Sequence, residues 1–170
     1  MDKEIKTYQI DFEKNQSMAF TSPLAYRFYR KQERLVENWR ELYASVLSEF
    51  ARSFADSISI LPKDEIGDLK QSKKMKKPVS IRRGVYVETD LNTEAIIRRI
   101  RSILDECKLP YTHLSITYLV DEERKAQYQQ MRIDAANKGK QKSVTKKEKR
   151  GHHHVPICLG YGDRWTATYN

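Results

Sequence analysis

The strongest constraint on the fold of this chain is a stripe of apolar side chains in residues 39–54. Trp39, Leu42, Tyr43, Val46, Leu47, Phe50 and Phe54 recur at intervals of three and four, the spacing that lines one face of an α-helix. Asn38 stands where an N-cap belongs, and Glu41, three positions on, is placed as the reciprocal capping acid. An isolated helix of this length is marginal in water. Its aromatic-rich face must be buried against something else, and the residues just before it predict a hairpin.

Residues 7–12 alternate polar and apolar side chains in the period of a half-buried strand. Residues 24–29 and 34–36 predict two more short strands, separated by the polar turn Arg30, Lys31, Gln32, Glu33. Between 57 and 78 the pattern dissolves into Gly67, a lysine-rich stretch, and Pro62 and Pro78 towards its two ends, which predicts a linker or an exposed loop. A second unit begins at 79–89, where Ile81, Val85 and Val87 alternate with Arg82, Tyr86 and Glu88 around Gly84. Asn92 is placed to cap a helix over 93–108, with Ile96, Ile97, Ile100, Ile103, Leu104 and Cys107 inside and Arg98, Arg99, Arg101, Asp105 and Glu106 outside. A strand is expected over 114–120 and a weakly amphipathic helix over 121–136. Loop-like sequence is expected over 137–150, and a closing hairpin from 155–159 and 165–169 around Gly160 and Gly162.

These elements place the chain in the α+β class, with short antiparallel strands and two or three amphipathic helices. The expected organisation is a hairpin-plus-helix lobe over 1–60, a basic linker over 61–78, and a strand-helix-strand lobe over 79–170 that carries a basic arm, 137–151. No apolar run approaches the ~20 residues needed to cross a bilayer, and the first residues lack the apolar stretch of a signal peptide. A cytoplasmic setting is therefore expected, and two cysteines, Cys107 and Cys158, suit a reducing compartment better than a disulfide scaffold.

Charge is divided unevenly. Residues 1–60 hold nine Lys/Arg and nine Asp/Glu, so the whole net charge of +9 lies in 61–170. Two stretches carry the excess. Lys70, Lys73, Lys74, Lys76, Lys77, Arg82 and Arg83 have no acid among them between Asp68 and Glu88. Lys138, Lys140, Lys142, Lys146, Lys147, Lys149 and Arg150 are diluted only by Glu148. Like charges gathered in this way repel, and a polyphosphate relieves the repulsion while releasing its own counterions.

Two stretches carry a family resemblance. One spans 19–47, with Phe20, Thr21 and Pro23 before a hairpin and then Asn38, Trp39, Leu42, Tyr43, Val46 and Leu47. The other is 84–92 (Gly-Val-Tyr-Val-Glu-Thr-Asp-Leu-Asn), followed by Ile96, Ile97, Arg98, Ile100 and Leu104. Their order and separation resemble an uncharacterised module of bacterial and phage open reading frames, often found with restriction-type or helicase-type proteins and also as small stand-alone proteins. The resemblance covers about residues 19–120. Its matching positions are cores and caps, so it implies no catalytic residue, but its company implies work on nucleic acid.

The first cluster leads into a strand expected near the helix bearing Arg98, Arg99 and Arg101, and convergence of the two would build one cationic face. Lysines suit phosphate as point charges; arginines can fork onto phosphate or a guanine edge. The second cluster lacks aromatic residues, which points to sequence-independent contact along a backbone. Tyr86, Tyr111, Tyr118, Tyr128 and Trp165 offer stacking surfaces if exposed, although strand aromatics belong more often to cores. Three consecutive histidines, 152–154, lack the paired spacings of a zinc site, so no metal is expected; they extend the basic arm instead. Glu88 and Asp90 have the spacing of a metal-binding acid pair, but no Glu-x-Lys partner follows, and Asp90 is better placed to help cap the next helix.

Together these features lead to an expectation of a non-enzymatic protein, without cofactor, that binds nucleic acid or a ribonucleoprotein. The expected contacts are Lys73, Lys74, Lys76, Lys77, Arg82, Arg83, Arg98, Arg99, Arg101, Lys146, Lys147, Lys149 and Arg150, with the N-terminal lobe free for a protein partner. One alternative is a phage- or mobile-element-encoded inhibitor of an RNA-guided nuclease or other bacterial defence enzyme. A metal-dependent nuclease is a weaker one. Neighbouring genes would separate accessory subunit from inhibitor.

Overall fold

The helix that begins after Asn38 organises the molecule. In the computed structural model, which describes the backbone of residues 6–148 and side chains of 6–138, helix α1 runs over Trp39–Ser53. The Asn38 side chain accepts the Glu41 N–H at 2.9 Å, and the Glu41 carboxylate reaches back to the Glu37 N–H at 2.8 Å. Leu42, Tyr43, Val46, Leu47 and Phe50 are fully buried, so the stripe faces the core as its spacing requires.

Among the described residues, seven short strands make two antiparallel sheets. The first contains β1 (Thr7–Gln9), β2 (Thr21–Phe28), β3 (Arg34–Leu35) and β7 (Leu114–Val120), in the order β1-β7-β2-β3. Phe28 pairs with Leu114 and Tyr26 with Ile116, which puts all four on the core face. The register slips between Pro23 and Ala25: Pro23 has no N–H to give to the ladder, and the displaced Leu24 carbonyl accepts instead from Val36 at 2.9 Å. Above the β2–β3 connection, the buried Glu49 of α1 receives Lys31 and, at 3.5 Å, Arg34. That triad ties the turn to the helix.

The second sheet is β4 (Ile66–Gly67), β5 (Pro78–Arg82) and β6 (Val85–Glu88), in the order β4-β6-β5. The expected single strand over 79–89 is a hairpin, turned at Arg83 and Gly84, where Gly84 takes φ +75°, a conformation that glycine adopts without the strain a Cβ would bring. Helix α3, Thr93–Glu106, is capped by Asn92 through the Ala95 N–H at 2.7 Å and buries Ala95, Ile96, Ile100, Ile103 and Leu104. Helix α4 follows β7 over Glu122–Glu148, with the Asp121 carboxylate accepting the Arg124 N–H.

The class is α+β, but the chain does not divide as its charge pattern suggests. Strand β7 lies between β1 and β2, and Phe28, Phe50, Ile100 and Ile116 share one core with Ile81 and Val87. The seven residues of β7 supply β2 with a partner of matching length, which two-residue β3 cannot. Residues 61–78 are not a linker: Leu61 is buried, Ile66 pairs with Val87, and α2 (Leu69–Ser72) closes a capping box between Asp68 and Gln71. The chain separates instead after Ala126, into one unit over 1–126 and a second over 127–170. The arm expected as loop over 137–151 is helical backbone as far as Glu148. The hairpin expected over 155–169, His152 to His154, Cys158 and Trp165 lie outside the described residues.

Candidate nucleic-acid interface

The first basic cluster folds as one compact element, residues 66–88. Strands β4 and β5 both run antiparallel to β6, which lies between them, and α2 makes the crossover. It crosses on the face of Gly67, because a Cβ there would come within 2.6 Å of Gln71 Cβ. Ladder parity puts Gly67, Ser80 and Tyr86 on that face and Ile66, Val79 and Val87 on the other. Lys70, Lys73 and Lys74 belong to α2 and the turn after it. Lys76 and Lys77 lie in the bend just before β5, and Arg82 and Arg83 stand at the tip of the hairpin. All seven are exposed.

The element holds seven Lys/Arg and two acids, and both acids are occupied by backbone. Asp68 caps α2. The Glu88 carboxylate accepts the N–H groups of Lys76 at 2.6 Å, Asp90 at 2.8 Å and Lys77 at 3.0 Å. Burial pushes the Glu88 pKa up, but the donated N–H groups of Asp90, Lys76 and Lys77 outweigh it and hold it below its ordinary value. Thr89 completes the latch by donating its N–H and hydroxyl to the Lys77 carbonyl. Of the seven, Lys77 alone forms an ion pair among the described residues, with Nζ 4.0 Å from Asp90. Lys70, Lys73, Lys74, Lys76, Arg82 and Arg83 form no ion pair among the described residues.

The acids that resembled a metal pair are thus otherwise engaged. Asp90 takes Arg40 at 3.0 Å in addition to Lys77, and it does not cap α3. No group of three or more potential metal ligands occurs among the described residues.

The arginines of α3 do not all join this face. Arg99 is spent on Glu65, which accepts from both Nε and Nη2 at 2.7 Å. These hydrogen bonds hold its pKa up against the opposing effect of burial. Burial raises the pKa of the Tyr43 hydroxyl, and the Glu65 charge adds to that while Arg99 opposes it. Arg101 donates to the Tyr111 hydroxyl at 3.3 Å, and that hydroxyl donates to Asp105 at 2.7 Å. Arg98 and Arg101 line a groove of about 630 Å³ against Asp11, Lys14 and Gln16 of the β1–β2 connection, to which no residue of the 66–88 element contributes. The expected union of the two groups is replaced by a face built from one contiguous stretch, because α3 turns Arg99 towards Glu65 and Arg98 towards the N-terminal segment.

In the second cluster, Lys146 and Lys147 fall on the helical backbone of α4. Lys149 and Arg150 lie outside the described residues. Of the aromatic residues singled out, Tyr118 is buried and stacked on Tyr8 at 5.7 Å, while Tyr111 and Tyr86 are half-buried and Tyr128 is exposed. Sequence reasoning passed over Tyr29, which is 50% exposed at the end of β2; its signal was the run Phe-Tyr-Arg-Lys, an aromatic followed at once by two cations.

Comparison with known proteins finds no matching family model, curated protein or solved structure.

Proposed function

We propose that this protein is a non-enzymatic nucleic-acid binder whose main contact surface is the 66–88 element. One observation carries the reading: six neighbouring cations have no acid partner among the described residues, and the two acids within the element are turned onto backbone N–H groups. A fold that needed these lysines only for solubility would gain by letting Asp68 and Glu88 pair with them. Holding the acids on the backbone leaves these cationic side chains without a direct ion-pair partner there and fixes the turn from which Lys76 and Lys77 project. Phosphates are the ligand that such a surface rewards, through counterion release, and point-charge lysines favour backbone contact over base reading. The lysines of α4 and the arm beyond it add a second phosphate contact in the same reading.

The test is purification of the full chain with and without nuclease treatment. Nucleic acid should accompany the untreated protein and be lost after treatment or at high salt. Protein that purifies free of nucleic acid at low salt, and binds none when it is added back, would overturn the reading.

A further inference from the structure

An aromatic column runs from the core to solvent at the end of β2. Phe50 meets Phe28 edge-on at 5.1 Å, Phe28 meets His113 edge-on at 6.5 Å, and His113 lies parallel to Tyr29, with ring centroids 4.2 Å apart and planes 11° from parallel. The first members are buried, and the last is half exposed. The Arg30 guanidinium lies 5.3 Å from the Tyr29 centroid. Arg27, two residues before Tyr29, is exposed. Neither arginine has an acid partner among the described residues, whereas Lys31 is committed to Glu49.

The backbone at this point favours another residue. A turn over 28–31 is closed by the Lys31 N–H on the Phe28 carbonyl at 3.1 Å, and Tyr29 occupies it with φ +53°. Glycine adopts that conformation without strain, and a bulky side chain does not. The Tyr29 N–H is further pinned to the His113 carbonyl. A tyrosine held in a glycine-type position, exposed and braced from the core, is a ring presented outwards rather than a ring left over from packing.

We infer that the Tyr29–His113 stack, flanked by Arg27 and Arg30, is a platform on which an unpaired base of a nucleic-acid strand stacks. This rests on the nucleic-acid reading above and adds to it a contact that only an unpaired strand can make. A flat π surface beside cations suits a base and its phosphate together. Bases inside a duplex are already stacked and present no free face. The Arg30 guanidinium marks the position of the incoming ring: it covers the Tyr29 face by the same electrostatic attraction that a base would replace.

The experiment compares the full-length parent with Tyr29→Phe and Tyr29→Gly, using a labelled single strand of about 12 nucleotides, its blunt duplex, and adenosine monophosphate alone. Tyr29→Gly removes the ring while relieving the turn, so it should melt no lower than the parent. It should bind the single strand roughly tenfold more weakly, the size of one lost base stack, and bind the duplex unchanged. Tyr29→Phe should match the parent on both. Single-strand affinity that Tyr29→Gly leaves intact would overturn the inference while sparing the nucleic-acid reading. Tyr29-dependent binding of the mononucleotide as tight as that of the strand would replace the strand with a free nucleotide. A parent that binds neither strand nor duplex would sink both claims together.

Discussion

Replacing Glu88 by alanine removes three hydrogen bonds at once and separates a structural carboxylate from a catalytic one. Its oxygens accept from the Lys76, Lys77 and Asp90 N–H groups at 2.6–3.0 Å. Bonds to a charged acceptor contribute about 1.5–3 kcal/mol each when lost in isolation, but the first two donors sit at an exposed turn where water can replace the carboxylate. The expected loss is therefore about 2 kcal/mol for the set, near the upper end of a lost helix cap, and a fall in melting temperature of roughly 5–10 °C. Urea denaturation with a paired thermal melt reads both. The pH dependence has a definite sign. The folded-state pKa lies below the ordinary value of 4.5, so the stabilisation is fully present above the unfolded pKa and disappears as pH falls through the folded one. The variant should therefore lose part of the acid limb of the parent's stability curve. A Glu88→Ala protein as stable as the parent, with the same acid limb, would refute the latch.

Two further substitutions separate scaffold from surface. Arg99→Ala should cost about 3 kcal/mol by leaving Glu65 largely buried without its partner, and the folded variant should bind nucleic acid with an unchanged salt dependence; weakened binding without lost stability would show the guanidinium to be part of the interface. Trp39→Ala should cost about 3 kcal/mol, because the half-buried indole packs on the core and donates Nε1–H to the Thr21 carbonyl at 3.0 Å; a variant that denatures with the parent would place the indole at a protein interface instead.

Helices α1 and α3 were legible because each signals itself locally. The stripes at 39–54 and 96–107 and the caps Asn38 and Asn92 are properties of adjacent residues, and all reappear in the structure. Strand pairing is not local. Alternation identified 114–120 as a strand, but nothing within it says that its neighbours are β1 and β2, more than eighty residues away in sequence. That omission produced the two-lobe division. Residues 61–78 looked like a linker because their elements are two and four residues long, too short to show a period. The first cationic cluster was visible as composition, and its folding into one element preserves it. The α3 arginines misled for the opposite reason: exposure on a helix face is readable, but a partner 34 positions away, as Glu65 is from Arg99, is not. Tyr29 stayed hidden because its meaning depends on a backbone angle and on His113.

The claim on which the rest depends is that the cations of 66–88 touch phosphate, and the salt dependence of duplex binding measures this directly. Removal of each duplex phosphate contact should make the slope of log Kobs against log salt shallower by about 0.9. A folded protein with Lys73, Lys74, Arg82 and Arg83 all replaced by alanine should therefore lose up to about 3.6 from the parent slope. Equal slopes and equal affinities for parent and variant would contradict the account.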